Sequence, residues 1–179
     1  MSILDMDYKG LSKIISGGQC GTDRGALEIA RIWNIETGGT APKGWRTHFG
    51  PTPDLATFGL VEHYCSSYSY RTKSNVVNSN ASLFIAANMS SPGMTLTERL
   101  CHYHHKKFFT IKPSEVTEDT ISKLVTFLIK HNVEILNVAG NRDLSGSLHN
   151  DTTQEVLDLT FRKLKSLGLL KHNSDYPTS

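Results

Sequence analysis

Lys13-Ile14-Ile15-Ser16-Gly17-Gly18-Gln19-Cys20-Gly21-Thr22-Asp23-Arg24-Gly25-Ala26 runs an apolar strand into a glycine-rich corner and out along a helix. Glycines at 17, 18 and 21 allow a sharp bend and let a ligand approach the main chain where a Cβ would block it. The free N–H groups of a helix start, with the helix dipole behind them, make an anion site. A buried strand ending in such a loop is how open α/β folds hold phosphates. The spacing G-G-x-x-G is neither the dinucleotide fingerprint nor a Walker A loop, and no Lys-Ser/Thr pair follows it. The pattern points to phosphate or nucleotide-like binding, with a tight strand-to-helix turn as the plain alternative.

Outward from this stretch, short apolar runs alternate with helical patterns. Leu11–Ser16, Ala81–Ala87, Phe108–Ile111 and Glu134–Ala139 read as strands. Thr22–Trp33, Thr95–Lys107, Thr117–Asn132 and Asp151–Leu167 read as helices, and Thr117 is placed to cap the third of these. Strands separated by helices of this length predict parallel βαβ units. The expected fold is a single Rossmann-like three-layer α/β sandwich with a mostly parallel sheet. Residues 1–170 form its ligand-binding domain, and residues 171–179 a frayed tail. Gly38 to Val61 breaks the rhythm with eight glycines and prolines. It is too long for a plain connector, so it is expected to fold over the ligand cleft.

Composition narrows the partners. The 179 residues carry a formal charge of +2, with 38% hydrophobic and 20% charged residues, as in an ordinary globular protein. No Lys/Arg block calls for nucleic acid or an anionic membrane. Every apolar run is far shorter than a membrane span, and Met1 to Gly10 has no signal-peptide core, so a cytoplasmic location is expected. Three cysteines (Cys20, Cys65, Cys101) without C-x-x-C spacing indicate neither a disulfide framework nor a zinc knuckle. His102, His104 and His105 sit near Cys101, but on a helix they point to different sides. They read as a surface cluster, and no metal site is expected.

Five segments in order resemble the molybdenum-carrier family, a branch of the LOG-like (SLOG) Rossmannoid superfamily whose molybdenum name is provisional. They are IISGGQCGTDRGALEIA from Ile14, GGTAPKGWR with GPTP from Gly38, YRTKSNVVNSNASLFIA from Tyr70, PGMTLT from Pro92, and ILNVAGNRD from Ile135. The resemblance spans roughly Lys13 to Leu167. It implies binding of a phosphorylated, pterin- or nucleotide-like small molecule, such as a molybdenum cofactor or a nucleotide. Superfamily relatives include phosphoribohydrolases that cleave a nucleoside monophosphate at its N-glycosidic bond, and nucleotide sensors. Fold kinship therefore spans enzyme and sensor, and the site must decide.

Residue by residue, Gly17, Gly18, Gln19, Gly21 and Thr22 match the family's first loop and offer backbone donors and polar side chains. Asp23 can cap the helix, hold a ribose hydroxyl, or hold Arg24; Arg24 can clamp a phosphate or pair on the surface. Lys43 and Arg46 flank Gly44 and suggest a second phosphate contact. Trp45 between them can stack on a heteroaromatic ring or pin the loop. Arg71 and Asn75, four apart in the family's Tyr-Arg-Thr-x-x-Asn motif, share a helix face and are expected to contact ligand or hold the first loop. Gly93, Thr95 and Thr97 open a helix after the Ala81–Ala87 strand, a second strand–loop–helix anion site. Met94 departs from the family's usual Gly-Gly-Thr, and Asn141 stands where the family has Pro. Arg142 follows Gly140 at the end of the last strand, within reach of the cleft.

For catalysis only Glu98 and Asp23 are candidates. Glu98 resembles the glutamate after the glycine loop of the phosphoribohydrolases, although the spacing is compressed; otherwise it is an acidic residue suiting a helix N-terminus. An amide at Asn80, near the place of a family Asp, weakens a general-base mechanism. The reading favours a carrier, sensor or sequestering protein over a hydrolase of a nucleotide N-glycosidic or phosphate bond. A homodimer or higher homo-oligomer is expected, with Tyr64, Tyr68 and Tyr70 at its interface.

Overall fold

The structure, a computed structural model, describes residues 8–173. Its strands are β1 (Lys13–Ile15), β2 (Glu36–Ala41), β3 (Arg46–Thr47), β4 (Gly50–Pro51), β5 (Leu60–Glu62), β6 (Ala81–Ile85), β7 (Lys107–Ile111) and β8 (Ile135–Gly140). Its helices are α1 (Thr22–Ile32), α2 (Tyr68–Val77), α3 (Pro92–Tyr103), α4 (Glu118–Lys130) and α5 (Leu148–Ser166). Six strands form one sheet in the order β5-β2-β1-β8-β6-β7, parallel throughout. The short β3–β4 ribbon is antiparallel and separate. The architecture is the expected Rossmann-like α/β sandwich.

Alternation along β6 separates the two helical layers. Leu83 and Ile85 join the cluster built with α1, α4 and α5, where Ala26, Leu124 and Phe161 are fully buried. Phe84 and Ala86 face the other way, onto Val76 of α2 and Met94 and Cys101 of α3. A strand buried on both faces has no side to give to water, so Ala81–Ile85 reads as an apolar run broken only by Ser82, whose hydroxyl accepts from Asn137 Nδ2 (3.0 Å) inside the sheet. Thr117 caps α4 by accepting a hydrogen bond from the Thr120 amide (3.2 Å), as its position predicts.

The Gly38–Val61 segment reaches the cleft only at the β3–β4 ribbon, which brings His48 to its edge, and the rest of it is not the expected cover. Its first residues belong to β2, and its last begin β5 at the sheet edge. The glycines that suggest a loop serve a close approach instead: Gly39 has φ +123°, and a Cβ there would lie 2.1 Å from the Ser16 carbonyl oxygen. Between the strands, the Pro53–Phe58 3-10 helix brings Leu55 and Phe58 onto Leu27, Ala41 and Leu60. Trp45 packs against this cluster, so it pins the loop to the domain. Two helices also begin earlier than the sequence pattern indicates. Pro92 takes the first turn of α3, where its missing N–H costs nothing, and α5 starts at Leu148. The tail, expected to fray from residue 171, is fastened as far as it is described. Leu170 bridges Leu11, the Lys171 amide donates to Leu11 O (2.9 Å), and the Asn173 amide donates to Asn34 O (2.7 Å). Residues 174–179 lie outside the described residues.

Asn75 holds the sheet where β1 runs out. Pairing between β1 and β2 ends at Ile15 and Gly38, and past it the Thr40 amide donates to Asn75 Oδ1 (2.8 Å) while Asn75 Nδ2 donates to Thr40 O (3.1 Å). Its amide therefore substitutes for a missing strand neighbour. Asn75→Leu leaves two buried backbone groups unpaired and is expected to cost roughly 2–4 kcal/mol. Urea unfolding measures this, and an unchanged midpoint would mean that water takes over both bonds.

Candidate functional site

The strands all point their carboxyl ends to one side, so the loops after β1, β6 and β8 meet there, where the connection order reverses across the sheet. Two adjoining cavities lie over these ends. The first, about 270 Å³, is lined by Gln19, Asp23, Tyr68, Arg71, Thr97 and Arg142 among others. The second, about 540 Å³, includes His48, Asn88, Leu144 and His149. Pro92, Gly93, Gly140 and Arg142 border both, so the positive end of the α3 dipole and one guanidinium sit where the lobes join.

The first loop is not an open nest of donors. The Gly18 amide donates to Ser16 Oγ (3.2 Å), the Gln19 amide to Asp23 Oδ2 (3.2 Å), and the Cys20 amide to Gln19 Oε1 (3.2 Å). The Thr22 amide donates to Asn141 O (3.3 Å), and the Thr22 hydroxyl to Ile85 O (2.8 Å). The loop thus spends its donors on itself and its neighbours. Its glycines make room for protein atoms. A Cβ on Gly17 would lie 1.6 Å from Arg71 Nη1, one on Gly18 would meet Leu55 and Leu60, and one on Gly21 would meet the Asn141–Asp143 backbone.

Cationic character comes from outside the loop. Arg71 on α2 lies across Gly17, 5.7 Å from the Tyr68 ring, with Nη1 3.5 Å from Asp23 Oδ2. Its Nε is buried with no hydrogen-bond partner. Asp23 is 5% exposed, and burial pushes its carboxyl above the usual carboxylate range. Arg71, the Gln19 and Gly17 amides and Arg142 pull the other way. Asp23 therefore closes the loop and faces the first cavity, and does not cap α1, whose N-cap is Gly21. Cys20 lies near Arg142 and Asp143, and burial pushes its thiol up.

Several sequence candidates lie elsewhere. Arg24 is committed to Glu28 (2.9 Å) and Asp54 (2.9 Å) and packs over Phe58, fastening α1 to the 3-10 helix. Glu98 is 41% exposed beside His102 and does not line either cavity. Thr95 and Asn75 line neither, and the Thr97 hydroxyl, although at the first cavity, donates to Gly93 O (2.7 Å). Lys43 is on the exposed β2–β3 turn; Arg46 sits 5.7 Å from the Tyr68 ring, at the rim. The structure therefore gathers Gln19, Asp23, Arg71, Gly93, Thr97 and Arg142 into the first lobe.

Sequence reasoning missed Tyr68 and Thr72 at the first lobe and His48, Asp143 and His149 at or beside the second. His48 is drawn in by its amide, which donates to Gln19 Oε1 (2.7 Å). Asp143 accepts from the amides of His149 and Asn150 (both 2.9 Å), capping α5 from outside the helix. No local spacing signals that bond, because Ser147 occupies the usual cap position. Among the described residues, no group of three or more His, Cys, Asp or Glu is placed to hold a metal ion, and no helix is long and apolar enough to cross a membrane.

A family model describing the circularly permutated YpsA SLOG family matches residues 14–161. The chain is 33% identical to a protein from Syntrophus aciditrophicus SB provisionally named a molybdenum carrier. The match covers 85% of this chain and 96% of that one, and the crystal structure of that protein superposes with a TM-score of 0.79. An (E)-4-hydroxy-3-methyl-but-2-enyl diphosphate reductase, 10% identical over 87% of this chain and 62% of its own, reaches a TM-score of only 0.33, too slight a likeness to bear on function. No curated protein matches the chain.

Proposed function

The chain belongs to the circularly permutated YpsA SLOG family, and on that premise we propose that it is a carrier, sensor or sequestering protein for a phosphorylated nucleotide- or pterin-derived small molecule. A molybdenum-cofactor-like pterin is one such cargo. The reading is carried by one observation: Arg71 and Arg142 converge on a single cavity with the first turn of α3, and the buried Arg71 Nε has no protein partner. Two guanidinium groups and a helix start are a natural receiver for a phosphate. Gln19, Gly93 and Thr97 belong to the same lobe, and Arg46 at the rim adds a diffuse attraction. The free cysteines suit a cytoplasmic setting, and the exposed Tyr64 and Tyr70 offer a face for a homodimer.

The second reading is a hydrolase of a nucleotide N-glycosidic or phosphate bond. It rests on Asp23, a carboxyl raised by burial at the cavity wall, as a general acid would be. Glu98, turned to solvent beside His102, adds nothing to it. Native mass spectrometry of freshly purified protein, followed by calorimetric titration with AMP and GMP, tests both readings. The expected result is a retained phosphorylated heterocycle or binding of one of the two nucleotides, with no free base or phosphate released on long incubation. Release of either product would transfer the cleft to the hydrolase reading. An empty protein that binds neither nucleotide would overturn the proposal.

A further inference from the structure

The second lobe holds a histidine that the cationic lobe does not explain. His149 is 12% exposed at its side chain, and its Nδ1 lies 2.9 Å from Asp143 Oδ1. The same carboxylate accepts the His149 amide at Oδ1 and the Asn150 amide at Oδ2 (both 2.9 Å). Burial pushes the Asp143 carboxyl up, but these two amides and the His149 ring outweigh it and hold the carboxyl below its usual range. An ionised carboxylate only accepts, so the ring hydrogen that faces it sits on Nδ1, and the tautomer this selects carries its lone pair on Nε2. That Nε2 is buried and has no hydrogen-bond partner. A buried ring nitrogen without a partner is costly, and native proteins rarely leave one so.

The surroundings suit a flat heterocycle. His149 lines the cavity of about 540 Å³ together with His48, Ala87, Pro92 and Leu144, and Leu144 is 63% exposed at its mouth. Asn88, Ser91, Asn141 and Arg142 complete the side chains of the wall, so apolar surface for a ring face lies beside polar groups that can fix its orientation. Arg142 and Gly93 connect this lobe to the cationic one, so one ligand can span both.

We propose that the second lobe is the heterocycle subsite of the cleft and that His149 Nε2, fixed as an acceptor by Asp143, recognises an N–H on the edge of the ring. This rests on the phosphorylated-ligand reading of the first lobe. It divides the ligand: the anion lies against Arg71 and Arg142, and the ring, a nucleobase or pterin, against His149. His149→Phe keeps the ring volume and removes the acceptor, while Asp143 keeps both amide bonds and its cap on α5.

The test is calorimetric titration of wild type and His149→Phe with AMP and with inorganic pyrophosphate. The expected result is about a tenfold loss for AMP, the worth of one hydrogen bond to a buried acceptor, with pyrophosphate affinity unchanged within about twofold. Equal losses for both probes, or none for AMP, would overturn the ring subsite while the anion site stands. A wild-type protein that binds neither probe would remove the anion reading and the subsite with it. Nitrogen-15 NMR of the imidazole gives a readout independent of affinity. Protonation at Nδ1 in the free protein, with Nε2 moving on addition of AMP but not of pyrophosphate, is expected; protonation at Nε2 would overturn the assignment.

Discussion

Gly140→Ala is expected to destabilise the protein by at least about 3 kcal/mol, at the top of the range for overpacking a well-packed site. The new Cβ would lie 1.9 Å from Ile85 O and 2.3 Å from Thr22 Oγ1. Neither neighbour can step aside. Ile85 is the register partner of Gly140 across β6 and β8, and its carbonyl accepts the Thr22 hydroxyl at 2.8 Å. Relief requires spreading two central strands or breaking the bond that seats the start of α1 against the sheet. Urea unfolding beside Gly93→Ala measures the effect, since a Cβ at Gly93 meets nothing within 4 Å. A Gly140→Ala midpoint equal to that of Gly93→Ala would mean that the strand ends separate without cost.

Arg71→Lys is expected to weaken binding of AMP by about 100-fold. Lysine keeps a positive charge near Asp23 but loses the planar fork and the Nε donor, and charge-assisted hydrogen bonds are worth roughly 1.5–3 kcal/mol each. Because Asp23 keeps a counter-charge, the melting temperature should hold, which separates a binding effect from unfolding. The same arrangement has a pH signature. Arg71 Nη1 stands 3.5 Å from Asp23 Oδ2, so an anion on the arginine also meets the carboxylate. Burial raises the folded pKa of Asp23, and a bound anion raises it further. Binding therefore takes up a proton, and affinity climbs as pH falls through that raised pKa. Sulfate, doubly charged throughout the range, isolates the effect. Its affinity should rise toward acid in wild type and stay flat in Asp23→Asn. A flat wild-type profile, or Arg71→Lys binding AMP like wild type, would place the anion elsewhere.

The central strands and four of the helices are legible in the sequence because burial writes a period into it. Ala81–Ile85 is apolar but for the buried Ser82, and the stripe Ile121, Leu124, Val125, Leu128 and Ile129 lies wholly inside. β2 is hidden because its Gly38 and Gly39 read as a loop, and only the approach of Ser16 explains Gly39. The site divides in the same way. Arg71 and Arg142 are visible as cations in motifs, and both line the first lobe. What the glycine loop does with its donors depends on Ser16, Gln19 and Asp23 turning back on it, and Arg24 is claimed by Asp54 from a distant turn. The Asp143–His149 pair reaches across a turn to cap a helix from outside it, so no spacing rule flags it. Periodicity records where a residue is buried; it does not record which neighbour arrives there.

The position of β8 has a consequence for the order of assembly. It is the last strand of the sheet in the chain, yet it lies between β1 and β6 and pairs with both. Until Ile135–Gly140 leaves the ribosome, the strands already made have native partners only within two groups, β1 with β2 and β5, and β6 with β7, each with an open edge toward the missing strand. At synthesis rates of about 5–20 residues per second, the stretch from β6 to β8 leaves those edges unpaired for on the order of several seconds. Open parallel edges are where nascent chains pair with one another. The nascent protein is thus most exposed to aggregation just before its final quarter appears, and a chain stopped short of β8 lacks the strand that pairs its two half-sheets.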